Sequence, residues 1–248
     1  MSQNLKEHQD SLLSLLCQFD RICRERGITW WLDSGTLLGA ARNGGFIPWD
    51  DDVDVCILAK DYRKIRRLLS DIPEPYSYQS SHKGQTRLSP RFVDTSHNVR
   101  RIDPATGAPK NEPLWIDTFV MRPGSLKLKR LIDPVYGRCI RRIHGGIKDG
   151  FAKLLAAYFA MPAILLFKWI AISYGAAFHR KTLLHDFGVP FYSVRMTDDI
   201  FPLGTIRFEG FEFPAPHNTD SYLRRIYGDY TTVPEENRRV NHKILPDE

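Results

Sequence analysis

In Gly45-Phe46-Ile47-Pro48-Trp49-Asp50-Asp51-Asp52-Val53-Asp54-Val55, four aspartates crowd into five positions at the head of an apolar run that ends at Leu58. Read as a strand from about Asp52 to Leu58, alternate side chains point to opposite faces. Asp52 and Asp54 then share a face, roughly 7 Å apart at ~3.3 Å per residue. Val53 and Val55 point the other way, into a core. Two carboxylates held that close repel each other, and aspartate is depleted in strands, so strand stability does not account for the pattern. A divalent cation does: Mg2+ or Mn2+ takes hard oxygen ligands, with substrate phosphates completing the shell. The structural alternative is an acidic turn exposed at a strand end. Asp50 and Asp51 read that way, or as supports of the strand through backbone hydrogen bonds.

Upstream, Asp33-Ser34-Gly35 turns the chain and Thr36 to Arg42 forms a short helix, broken by Asn43-Gly44-Gly45. A glycine-containing turn at a helix start presents backbone N–H groups and the positive end of the helix to an anion. Ser34, Gly35 and Thr36 are therefore candidate phosphate contacts, and Arg42 a candidate to neutralise phosphate charge. Phe46-Ile47-Pro48-Trp49 is a rigid approach to the acidic strand, and Trp49 is counted with the substrate-binding residues. Downstream, Asp117 interrupts the apolar strand Leu114-Trp115-Ile116-Asp117-Thr118-Phe119-Val120. A buried carboxylate costs free energy unless paired or coordinated. Asp117 reads as a third metal ligand or as the general base for an incoming hydroxyl; its structural alternative is a pair with an arginine. Arg91 is a candidate phosphate contact, set against an ordinary surface arginine.

The rest of the chain supplies the frame. Residues 4–26 carry leucines and Phe19 at helical spacing, with Gly27 as the stop. Ile28 to Leu32 is a short strand, Asp61 to about Ser70 a basic helix. Residues 71–113, broken by Pro73, Pro75, Pro90, Pro104, Pro109, Pro113, Gly84 and Gly107, suggest short strands joined by loops, with Arg91-Phe92-Val93 among them. Phe201 to Phe213 reads as two strands turning at Gly210. A helix follows from about Asp220 to Tyr227, capped by Asn218 or Thr219 and ended by Gly228.

With 248 residues, 42% of them hydrophobic and 26% charged, the chain has the size and make-up of one globular domain carrying an insertion. Cys17, Cys23, Cys56 and Cys139 form no C-x-x-C pair or zinc spacing and read as reduced thiols, which suits a cytosolic setting. The N-terminus lacks the apolar core of a signal peptide. The expected location is cytoplasmic, peripheral on the inner face of the cytoplasmic membrane if residues 125–195 dock there. Between Lys127 and Lys153 eight basic residues face only Asp133 and Asp149, an excess as large as the whole chain's net +6. Such a window implies an anionic partner or a solvated loop. Leu154 to Phe178 then holds a single charge, Lys168. Length permits a membrane span of about 20 residues, but Pro162, Lys168, Ser173 and Gly175 argue against one. Two shorter helices, lying at a membrane interface or packed as a core hairpin, are expected instead.

Two blocks, Leu32-Asp33-Ser34-Gly35-Thr36-Leu37-Leu38-Gly39-Ala40-Ala41-Arg42 and Gly45 to Val55, resemble the LicD family of bacterial phosphocholine transferases and related fukutin-type proteins. The likeness begins at Asp20-Arg21-Ile22-Cys23 and takes in Trp115-Ile116-Asp117 and Tyr222 to Tyr230 with Pro234; it is weakest between about 125 and 195. The resemblance implies a nucleotidyltransferase-like α/β fold, a mixed sheet with flanking helices, as one catalytic domain over residues 1–248, with 125–195 a basic and apolar helical insertion. It also implies Mg2+ or Mn2+ and a CDP-linked donor such as CDP-choline. The acceptor would be a hydroxyl of a cell-surface glycan, free or lipid-linked, with CMP released. Asn43 stands where the family commonly has histidine, and Thr118-Phe119-Val120-Met121 departs from its apolar-Phe-Pro-Leu continuation, which changes the substrate pocket rather than the ligands.

Three other readings remain open. A nucleotidyltransferase that transfers NMP would use the same site. A metal-dependent glycosyltransferase also carries D-x-D, but has no need of the Ser-Gly-Thr turn. A non-catalytic membrane- or nucleic-acid-binding module fits the basic window; the intact row of carboxylates weighs against it, and no nucleic-acid partner is expected.

Overall fold

The computed structural model describes residues 3–68, 71–79, 89–102, 107–145, 150–233 and 235. Ser70, Gly84, Pro104, Lys148, Asp149 and Pro234, used above, lie outside them. The elements in chain order are α1 (Gln3–Glu25), β1 (Trp30–Leu32), α2 (Ser34–Asn43), β2 (Asp54–Leu58), α3 (Ala59–Leu68), β3 (Tyr76–Gln79), β4 (Arg91–Ile102) and β5 (Pro109–Pro123). Then come α4 (Leu126–Gly145), α5 (Phe151–Phe178), β6 (Thr182–His185), β7 (Arg195–Met196), α6 (Thr197–Ile200), β8 (Gly204–Phe208), β9 (Phe211–Ala215) and α7 (Thr219–Tyr227).

The expected mixed α/β architecture is what forms. The main sheet runs β1-β2-β5-β4-β3, with β6 and then β7 added beside β5. Among the described residues only β2 and β5 run parallel; every other pairing in this sheet is antiparallel. The apolar face of α1 covers this sheet: Leu12, Leu15, Leu16 and Phe19 are buried. Phe19 stands edge-on to Trp30 at 5.2 Å and tilted against Phe92 at 5.4 Å. Aromatic contacts of this kind add to the area they bury.

Several boundaries differ from those expected. The acidic strand starts at Asp54, two residues late. Before it, α1 rather than a neighbouring strand satisfies the backbone: Gln9 Nε2 donates to Asp50 O at 2.8 Å, and His8 Nε2 lies 3.0 Å from Asp51 O. The proline-broken region holds one short strand, β3, as expected, and then two long ones, β4 and β5, of 12 and 15 residues. Pro113 lies inside β5, while Pro109 and Pro123 are its first and last residues. The apolar segment is one 28-residue helix, α5, with Pro162 inside it, rather than two. It does form a hairpin with α4, but that hairpin stands outside the core, with only Ala157, Ala171 and Gly175 of α5 buried. Lys129, counted in the basic window, is turned inward and paired with Asp133; both are buried.

The β8–β9 hairpin packs against β1, α2 and the turn that follows α2. At its tip, Glu209 donates its N–H to Gly44 O, while Glu209 Oε1 accepts the N–H of Phe46 at 2.9 Å. A Cβ on Gly45 would meet Glu209 Oε1 at 2.2 Å, so this contact requires glycine.

Candidate active site

The register between β2 and β5 sets Asp54 directly beside Asp117, and the β4–β5 register sets Arg91 beside Asp117 on its other flank. A row Asp54, Asp117, Arg91 therefore crosses three adjacent strands at the entry of the parallel pair. Arg91 Nε donates to Asp117 Oδ1 at 3.0 Å, and both side chains are buried. The Arg91 guanidinium also lies 4.0 Å from the centre of the Trp115 ring. Arg91 is thus no surface residue; it fixes the carboxyl of Asp117, the arginine pairing weighed above.

Asp52, half-buried in the loop before β2, completes the acidic group together with Asp50. Burial pushes the Asp54 carboxyl well above the usual range, and Asp52, Asp117, Asp33 and Asp50 push it further. Asp50 is raised to about 8 by burial and then by Asp52, with which it shares a side-chain hydrogen bond. Its carboxyl lies against the backbone of Gly35, where a Cβ would come within 2.9 Å of Oδ2. Asp50 therefore faces the same cluster as Asp52 and Asp54. Strand parity does not produce this, because residues 50–53 precede β2; the packing against Gly35 does. Asp51 points elsewhere and is buried, its carbonyl receiving Arg101 at 3.0 Å.

Around the turn, Ser34 holds a left-handed φ of 48° and its Oγ donates to Asp33 Oδ2 at 3.1 Å. No side chain caps α2, because the carboxyl of its N-cap residue Asp33 points inward. The first-turn N–H groups of a helix seek an acceptor in such a case. Thr36 is buried and its Oγ1 accepts the N–H of Asp54 at 2.9 Å, so it braces the strand against the helix. Arg42 is not beside the turn: it sits eight residues along α2, about 12 Å at 1.5 Å per residue. Its guanidinium donates to Tyr230 O and Asn43 Oδ1. Trp49 is half-buried in the turn that precedes the acidic loop.

Asp33 anchors a second cluster that spacing could not disclose. Its Oδ1 accepts the hydroxyl of Tyr222 at 2.6 Å and lies 3.6 Å from Arg195, while Oδ2 lies 3.5 Å from His185. Burial alone would raise this carboxyl; Arg195, His185 and Tyr222 together hold it well below the usual range. Asp33, Cys56 and His185 are the only His, Cys, Asp or Glu group among the described residues whose ligand atoms all fall within 4.8 Å of one another. Arg195 already supplies the positive charge there, and burial pushes the Cys56 thiol up, away from the thiolate a metal needs. The Asp50–Asp52–Asp54–Asp117 group is wider, but its hard oxygen donors suit Mg2+ or Mn2+.

His8 belongs to the scaffold beneath the acidic loop and yields a pH prediction. Burial, then Arg101, holds its pKa at about 4 instead of 6.5. The unfolded chain takes up this proton first, so stability present above pH ~6.5 is lost as pH falls towards 4, by about 3 kcal/mol. The melting temperature of His8→Gln is expected to fall less than that of the native protein between pH 7 and pH 5.

A parallel strand pair entered by clustered carboxylates, beside an uncapped helix start, suits an enzyme that transfers substituted phosphate groups. Residues 27–130 match the family model described as LicD/FKTN/FKRP, nucleotidyltransferase domain. The chain is 23% identical to lipopolysaccharide cholinephosphotransferase LicD of Haemophilus influenzae, over 97% of this chain and 96% of that one. It is 50% identical over 42 residues to human ribitol 5-phosphate transferase FKRP, covering 17% of this chain and 8% of that protein. Mannosyltransferase regulator 4 of Saccharomyces cerevisiae is 26% identical over 106 residues, 36% of this chain and 9% of that protein.

Proposed function

We propose that this protein transfers a phospho-substituent, phosphocholine or a polyol phosphate, from a CDP-activated donor to a hydroxyl of a cell-surface glycan, releasing CMP. The observation that carries this reading is the β2–β5 register, which puts Asp54 and Asp117 side by side with Asp52 and Asp50 adjacent. Four such carboxylates without a cation are mutually destabilising, which is the charge pattern of a metal-assisted phosphoryl site. Asp52, Asp54 and Asp117 are the residues that would hold Mg2+ or Mn2+, which supplies charge neutralisation at the donor diphosphate.

The chain's own groups do the rest. The first-turn N–H groups of α2, at Ser34 and Gly35, receive phosphate oxygens; Arg91 holds Asp117 in place. The acceptor oxygen attacks the phosphorus bearing the substituent. A new P–O bond to the glycan forms as the P–O bond to CMP breaks, and the acceptor proton passes to Asp117 or to solvent. Positioning and electrostatics supply most of the acceleration in such transfers.

The names of the relatives, which include choline phosphate and ribitol 5-phosphate transfer, support the class and leave the substituent to experiment. Incubation with CDP-choline, CDP-ribitol and CDP-glycerol, each with Mn2+ or Mg2+ and a glycan acceptor, is expected to release CMP with one of them. The nucleotidyltransferase description of the matched domain favours a second reading, NMP transfer. A nucleotidylated acceptor in place of free CMP would establish it and refute the first.

A further inference from the structure

The face of α5 that packs on α4 is a narrow seam, and what lies outside it is apolar. Ala157, Met161, Ile164, Lys168, Ala171 and Gly175 recur every three or four residues and point inward to varying depth. At the root of the hairpin the approach is closest: a Cβ on Gly175 would meet Pro123 O at 2.5 Å. Lys168 is the only charge between Leu154 and Phe178, and it is spent inside the seam, 4.6 Å from the centre of the Tyr136 ring of α4. The outer face is left with Phe159, Leu166, Phe167, Trp169, Ile170 and Phe178, each more than half exposed. A helix on the surface of a water-soluble domain carries polar residues there, and an apolar patch this long marks an interaction surface.

By length and composition α5 could cross a bilayer, with a mean hydropathy of 1.9. The sheet forbids a lone span. The chain leaves the sheet at Pro123 of β5 and is back in it at Thr182 of β6, where Pro123 pairs with Leu183 and Met121 with His185. Both ends of the α4–α5 excursion therefore sit on one side of any membrane, and α4 would have to cross as well. It cannot do so cheaply: it carries the buried Lys129–Asp133 pair and exposed Lys127, Arg130, Arg138 and Arg141. Those exposed cations precede α5, with Lys153 near its start and Arg180 after it, and α5 itself holds no acidic residue; Lys181 is paired with Asp198.

We propose that the α4–α5 hairpin is a monotopic anchor, laying the outer face of α5 into the interface of an anionic lipid bilayer while the α4 cations meet its head groups. Charge complementarity selects a lipid surface over a second copy of this chain, because pairing two such faces would bring two sets of cations together. The aromatic residues Tyr158, Trp169 and Tyr174 suit the head-group boundary. The proposal stands apart from the reading of the reaction: the hairpin roots at Pro123–Gly124, six residues beyond Asp117 along β5.

Flotation of the full chain with vesicles tests it. The protein is expected to rise with phosphatidylcholine–phosphatidylglycerol vesicles, to rise less with phosphatidylcholine alone, and to be released in part by high salt. The double substitution Leu166→Glu with Ile170→Glu should cut flotation at least tenfold with unchanged circular dichroism, and CMP release from a soluble donor should persist. Absence of flotation of the native chain with anionic vesicles would overturn the proposal, as would equal flotation of the double variant. A native dimer that the double variant converts to monomer, with no flotation of either, would assign the face to a second copy instead.

Discussion

Asp54→Asn is expected to lower CMP release at least about a thousandfold, the upper end of what loss of one transition-state charge stabiliser costs, while the protein stays folded. In the presence of a chelator its melting temperature should rise. The two effects have one cause. Asp54 is half-buried beside Asp52, Asp117, Asp33 and Asp50, and desolvation first, then these neighbours, push its carboxyl well above the ordinary range. A carboxylate with a raised folded-state pKa contributes stability below its unfolded value near 4 and loses it as pH rises, so at neutral pH the ionised group weighs against folding. Asparagine keeps the shape and removes the repulsion. A bound cation also relieves the repulsion, and adds stability of about 2.7 kcal/mol at a hundred times its Kd. Titrating Mn2+ should therefore raise the melting temperature of the native protein and raise that of Asp54→Asn much less. Asp52→Asn should behave in the same direction. Retained turnover in either variant, or a native protein indifferent to Mn2+ and Mg2+, would remove these residues from the site.

The acidic cluster was legible because four aspartates in five positions stay together whatever the backbone does, although the period of two invoked for Asp52 and Asp54 does not apply, β2 beginning only at Asp54. Asp50 joins the cluster through its packing against Gly35, which spacing does not disclose. The parallel neighbour of β2 was not legible, since nothing in the spacing of 54 and 117 tells which strands pair. That missing link is also why Arg91 stood undecided between a phosphate contact and a surface residue, although it is buried against Asp117. Arg42 shows the converse: nearness in sequence to the Ser34–Gly35 turn became distance in space, because a helix rises 1.5 Å with every residue. In the insertion, composition revealed apolar helix but neither its continuity through Pro162 nor its exposure, which depends on α4 covering one narrow seam and no more. Lys129 counted as positive surface in the sequence and is neutralised by Asp133 in the fold. The Asp33 cluster was beyond reach from the sequence, its members being drawn from positions 33, 185, 195 and 222.

That cluster carries the largest expected effect on stability. Arg195→Met should destabilise the protein by about 3–5 kcal/mol, the usual result of stripping a buried charge of its partner. At ~2–4 °C per kcal/mol for a chain of this size, the melting temperature should drop by roughly 10 °C. Asp33 is fully buried and depends on Arg195, His185 and Tyr222 to remain ionised. With its pKa depressed, it contributes stability at every pH above its unfolded value near 4, lost only as pH falls through the much lower folded value. Lowering the pH within the working range therefore does not mimic the substitution. Asp33→Asn combined with Arg195→Met should recover much of the loss, because a neutral amide no longer needs the cation. Urea denaturation of both single variants and the double gives the coupling energy directly; a double variant as unstable as the sum of the singles would show that the two residues do not act as a pair. Activity should follow the same ranking. The backbone N–H of Asp33 donates to Asp54 O at 3.1 Å, and its carbonyl accepts the N–H of Leu37 at the start of α2. A cluster that lets Asp33 move therefore shifts the helix start and the acidic strand together, so transfer should fall in Arg195→Met even at temperatures where the variant remains folded.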